Sequence, residues 1–164
     1  MADESVLQAD DPNSAPPDHR GPGPLRVLLL SGTFERAHYA LALASTAAAL
    51  DRPVTLFVTL AGARAFLAEG ADGRPGWAGL PLGVELAEPG LPDGEALDAR
   101  YRARGIGGFE ELLESCGALG VEIMVCEMGL RGLGLDPARL RRDLPIRAGG
   151  LATLLAMGGQ LVVV

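Results

Sequence analysis

The chain has 164 residues, 48 % hydrophobic and only 4 % aromatic, with a formal net charge of -7 and no lysine. That length allows one domain with a sizeable core and is short for two, and the acidic balance, without a basic stripe interleaved with aromatics, argues against nucleic acid as a partner. Two separated cysteines and two histidines, His19 and His38, offer no zinc spacing, so neither a metal nor another cofactor is expected.

Residues 1–24 hold five acids against one arginine, together with prolines and glycines, and have almost nothing to bury. They are expected to form a disordered tail outside the fold, which leaves residues 25–164 as one mildly acidic domain. "LRVLLLS", 25–31, is a continuous apolar run of the kind buried on both faces of a parallel sheet. The alanine-rich segment 34–50 is a strong helix former, stopped by "DRP", and "VTLFVTL", 54–60, supplies a second strand. Strand, helix and strand at this spacing imply a parallel crossover.

A short helix is expected over 61–68. The stretch 70–106 is then broken by many glycines and prolines and reads as a long excursion, either a lid or plain surface loop. In "GFEELLESCGALG" the residues Phe109, Leu112, Leu113, Cys116 and Leu119 share one helical face, which points Cys116 into the core, and Gly120 fits the position just past the helix end. "VEIMV", 121–125, is the third strand. Asp136 and Pro137 suit the cap and first residue of a short helix, "GGLATLLAMG" a further helix, and "QLVVV" a final strand, with a weakly signalled strand near 144–146. The expected fold is an α/β three-layer sandwich, a parallel sheet of four or five strands flanked by helices. The apolar stretches are too short or too interrupted to span a bilayer and the N-terminus lacks a basic region leading into an apolar one, so no membrane and a cytoplasmic location are expected.

In open parallel sheets, ligands and reactive groups gather at the carboxyl ends of the strands. Cys126 closes the third strand there, directly before "EMGLRGL". If a helix starts at that point, its free amides favour a thiolate and make the cysteine a candidate nucleophile; the competing reading is an inert buried thiol. The first strand ends in "SGTFERAH", where Ser31, Gly32 and Thr33 can present amides to an anion and Glu35 opens the helix, or where glycine only turns the chain. Glu35 and His38 could approach Cys126 as base or counter-ion, or His38 could be no more than a polar residue on a partly covered helix. Met128, at the helix start, joins Gly32, Thr33 and Glu35 as a candidate binding residue.

The blocks "LLLSGTFERAHYALALASTAAAL", "VTLFVT", "LGVEIMVCEMGLRGLGLD", "AGGLATLLAM" and "QLVVV" together resemble the DsrE/DsrF/TusD family of sulfur-relay proteins over residues 25–164. Its most specific part is the cysteine closing the third main strand before a Met-Gly helix start. The resemblance implies a DsrE-like small α/β domain that assembles as a trimer or hexamer. It also implies persulfide sulfur carried on Cys126, accepted from a donor protein and passed to an acceptor protein as by a sulfurtransferase-like carrier. The rival expectation is a non-catalytic oligomeric binding or regulatory module of the same fold that takes a small anion or a nucleotide.

Overall fold

The computed structural model describes residues 23–164; residues 1–22, with His19 and nearly all of the acidic tail, lie outside the described residues. The elements in chain order are β1 (Leu25–Leu29), α1 (Phe34–Ala49), β2 (Val54–Val58), a 3₁₀ segment (Leu60–Phe66), α2 (Gly94–Ala103), α3 (Phe109–Ala118), β3 (Glu122–Cys126), α4 (Glu127–Gly132), a 3₁₀ turn (Pro137–Arg139), β4 (Ile146–Gly149), α5 (Leu151–Ala156) and β5 (Gln160–Val163). The five strands form one sheet in the order β4-β3-β2-β1-β5, and every pairing is parallel. The register places Val27 beside Leu56 and Val58 beside Val125, and Cys126 beside Gly149 on the edge strand. No helix among the described residues is long and apolar enough to cross a membrane.

Strand alternation sorts the sheet into two unequal faces. Val27, Leu29, Leu56, Val58, Ile123 and Val125 belong to the main core, with Phe34, Leu41 and Ala44 of α1 and Phe109, Leu113 and Cys116 of α3. The buried alanines of α1 have little side chain to hold the helix away from the strands, so aromatics are needed only at its start. Gly120 follows α3 at a φ of +73°, the left-handed conformation that closes a helix and that glycine adopts without a Cβ clash. Across the sheet, Phe57, Met124 and Cys126 form a second, smaller cluster with Leu154 of α5. The structure is thus a three-layer α/β sandwich with one thick helical layer and one thin one.

The excursion 70–106 is part of the thick layer. Trp77 stacks on Phe109 with ring centroids 5.2 Å apart and an interplanar angle of 14°. Its indole N–H donates to Glu110 at 2.6 Å. Residues 94–103 form α2, a helix absent from the sequence reading, with Asp93 capping it by accepting from the Ala96 amide at 3.2 Å. The expected short helix at 61–68 is the 3₁₀ segment, and the weak strand signal near 144–146 is the first residue of β4.

Candidate functional site

β3 is an interior strand between β4 and β2 and ends at Cys126, which is also the N-cap residue of α4, with φ -75° and ψ 115° and no side-chain capping bond. Ile123 and Val125 face the α1 layer, so alternation turns Met124 and Cys126 to the other side. There the thiol is 1 % exposed, packed with Phe57 and Met124 of the sheet and with Leu154 of α5; Leu28 and Met157 border the cluster. Burial of a leucine side chain such as Leu154 contributes about 2 kcal/mol, and it is the one buried residue of α5. Leu151 and Leu155 of the same helix stay 41 % and 68 % exposed.

α4 is seated closely against the end of β2. A Cβ added at Gly129 would overlap the Thr59 hydroxyl and come within 2.6 Å of the Leu60 amide nitrogen, so glycine is what allows the first turn of α4 to approach. Glu127 turns outward, its carboxylate 3.9 Å from Arg131, and its charge is spent in solvent rather than on the Cys126 sulfur.

The same sheet face carries a polar row at the amino ends of the strands. Arg26, 8 % exposed, donates from Nη1 to the Thr55 hydroxyl at 2.9 Å and from Nη2 to the Met157 carbonyl at 3.4 Å. Thr55 donates in turn to Glu122 Oε2 at 3.4 Å, and Arg147 donates to Glu122 Oε1 at 2.6 Å. Arg26 therefore holds the carbonyl that closes α5, the end of a helix where cationic groups are favoured. The sequence reading passed over it, although an arginine inside the otherwise apolar run "LRVLLL" was the available signal.

The candidates around the first strand lie elsewhere. Thr33 is the N-cap residue of α1 and its hydroxyl donates to Glu35 Oε1 at 2.6 Å. Both Glu35 oxygens accept from the Gly83 amide at 3.2 Å, which ties the excursion to the start of α1. Gly32 lies against Ala61, where a Cβ would come within 2.6 Å of the alanine methyl. Thr33 and Glu35 line a cleft of about 570 Å3 together with Arg36, Tyr39 and Tyr101. Met128 is exposed on α4. Cys126 shares no cleft with Gly32, Thr33 or Glu35, because its side chain faces α5 on the far side of the sheet from α1.

His38 does not approach Cys126 either. It is 6 % exposed in the α1 layer, with Nε2 bonded to the Gly107 carbonyl at 2.8 Å and its ring centroid 4.8 Å from that of Tyr101. Cys116 is fully buried in the main core, its Sγ 3.6 Å from the Leu41 carbonyl, and burial pushes its thiol up to about 11. Among the described residues no group of three or more His, Cys, Asp or Glu side chains is placed to hold a metal ion.

No protein-family model matches the chain, and no curated protein matches it in sequence. Among solved structures the chain is similar to the crystal structure of the ychN protein from E. coli, with 16 % identity over 86 % of this chain and 99 % of that one and a TM-score of 0.47. At that level the likeness carries nothing about chemistry, which has to be argued from the residues themselves.

Proposed function

We propose that the protein is a carrier of sulfane sulfur, with Cys126 as the residue that bears it. The observation that supports this reading is the setting of the thiol, at the carboxyl end of the interior strand β3 and enclosed by Phe57, Met124 and Leu154. A persulfide loses its outer sulfur to passing thiols, and an apolar enclosure that excludes them lengthens its life. In the loading step the Cys126 thiolate attacks the outer sulfur of a donor persulfide. A new S–S bond forms at Sγ, the donor S–S bond breaks, and its electron pair leaves with the donor thiolate, so no net oxidation occurs. Delivery is the same exchange run toward an acceptor nucleophile. Partners under this reading are a donor and an acceptor protein.

The test is intact mass after incubation with a persulfide donor. Addition of one sulfur to the wild type and to Cys116→Ser, but not to Cys126→Ser, supports the carrier; absence of an adduct on every form overturns it. The reading includes self-association as a trimer or hexamer, for which exposed Leu161 and Val163 offer apolar surface. Light scattering at micromolar concentration tests this, and a monomer counts against it.

A further inference from the structure

We propose that α5 is a strap that gates the Cys126 thiol, swinging off the sheet at Gly150 before it and at the Gly158–Gly159 pair after it while the strands that anchor its ends stay in place. The inference rests on the reading of Cys126 as a reacting thiol, and it adds how that thiol is reached. α5 joins β4 to β5, which are the two opposite edges of the sheet, so the segment between them crosses the face formed by β3, β2 and β1. Both ends are fixed by ladder pairing, β4 to β3 and β5 to β1, and neither pairing involves a residue of α5. The crossing can therefore lift without opening the sheet.

The attachment of the strap is slight. Leu154 is its one buried residue, Met157 just after it is partly buried against the same cluster, and a 3.4 Å bond from Arg26 to the Met157 carbonyl ties its end to the charged row beneath. Gly150 links the paired strand residue Gly149 to the helix, and Gly158 and Gly159 follow it, the latter two at φ of +62° and +93°. Side chains with a Cβ rarely adopt that region, whereas glycine passes through it freely, which is what a hinge requires. Cys126, in contrast, is 1 % exposed, and the α1 layer closes the sheet from behind. A sulfur donor has no path to Sγ while Leu154 is seated. Segments held by few buried contacts are those that open without global unfolding.

The experiment follows iodoacetamide labelling of the two cysteines separately, by peptide mass, on the full chain. Cys116 reports global opening, since it lies in the main core, and Cys126 reports opening of the strap. The expected result is that, relative to their rates in the urea-unfolded chain, Cys126 labels faster than Cys116 in the unsubstituted protein, and that Leu154→Ala raises the Cys126 rate by roughly ten- to a hundredfold, as truncating a buried leucine would. Leu155→Ala, on the exposed side of α5, is expected to leave both rates alone. An unchanged Cys126 rate in Leu154→Ala, or equal relative rates at the two cysteines in the unsubstituted protein, overturns the gate. Should Leu154→Ala fail to fold, hydrogen exchange on the unsubstituted protein decides. The Leu154 and Met157 amides, bonded to the Gly150 and Thr153 carbonyls, should exchange well ahead of those of β3, and equal protection overturns the proposal. The two readings fail separately: gated labelling without any sulfur adduct removes the carrier and leaves the gate, while a sulfur adduct with ungated labelling does the reverse.

Discussion

The carboxylate of Asp98, in α2, accepts a 2.7 Å hydrogen bond from the backbone amide of Phe109, the first residue of α3. Asp98 is 3 % exposed and also receives Arg102 Nε at 2.9 Å, so one buried charge links the excursion to the helix that carries Cys116. Asp98→Ala removes the acceptor and leaves the Phe109 amide unpaired in the interior. The expected loss is about 2–4 kcal/mol in urea unfolding. Arg102→Ala, whose side chain is more than half exposed, should cost less than about 1 kcal/mol. Equal losses in the two variants would show that the amide bond to Phe109 is unimportant.

Thr55 stands between Arg26 and Glu122, accepting from one and donating to the other. Thr55→Val keeps the side-chain shape and removes both bonds, leaving the buried guanidinium short of a partner. A destabilisation of about 1–3 kcal/mol is expected. Because Arg26 also reaches the Met157 carbonyl, the same variant should speed amide exchange in α5 more than in α3. A uniform change across the chain would refute that link.

Two glycines in helices should respond to alanine in opposite senses. Gly129 has the Thr59 hydroxyl and the Leu60 amide where a Cβ would go, so Gly129→Ala should push α4 away and cost about 1–3 kcal/mol. Gly117 lies inside α3 with open space around its Cβ position, and Gly117→Ala should stabilise the protein by about 0.5–1 kcal/mol. Chemical denaturation of the pair is the check, and a stabilised Gly129→Ala is the outcome that would contradict the packing of α4.

The buried Cys116 makes stability fall in alkaline solution. Its thiol sits at about 11 in the folded protein against an ordinary value of 9.0, because burial disfavours the thiolate. Between those limits the unfolded chain has released the proton while the folded one still holds it. Stability is therefore fully present below pH 9 and declines up to pH 11, at about 1.4 kcal/mol per pH unit for this one group. Unfolding free energies of the wild type and Cys116→Ala, measured at steps from pH 8 to pH 11, should diverge with that sign. Parallel curves would mean that Cys116 ionises in the folded state as readily as in the unfolded one.

The central strands and α1 were legible because burial on both faces writes a continuous apolar run, and because "ALALASTAAA" has no competing structure. α2 was not, since "GEALDARYRA" follows a Pro/Gly-rich stretch and buries, besides Leu97, the charged Asp98, whose bond to Phe109 is not visible in sequence. β4, reading "IRAG", is an edge strand with Arg147 turned to solvent, and it lacks the hydrophobicity that marks its neighbours. At the candidate site, position along the strand could be read but not the side: nothing local to "EIMVC" distinguishes the face of Met124 and Cys126 from that of Ile123 and Val125. The burial of His38 was not legible for a related reason, because its partner Gly107 lies 69 residues away.

The strand order has a further consequence for how the protein is made. β1 is flanked by β2, which follows it closely, and by β5, which about a hundred further residues separate from β2. On a ribosome adding roughly 5–20 residues per second, that interval is roughly 5–20 s. Throughout it the backbone of β1 has hydrogen-bonding groups free on its outer side, next to Leu28, and the strap that shields Leu28 and Phe57 has not yet been synthesised. The nascent chain is thus most exposed to wrong pairing just before its β5 residues emerge, and a chaperone that shelters apolar strands would act on it in that window.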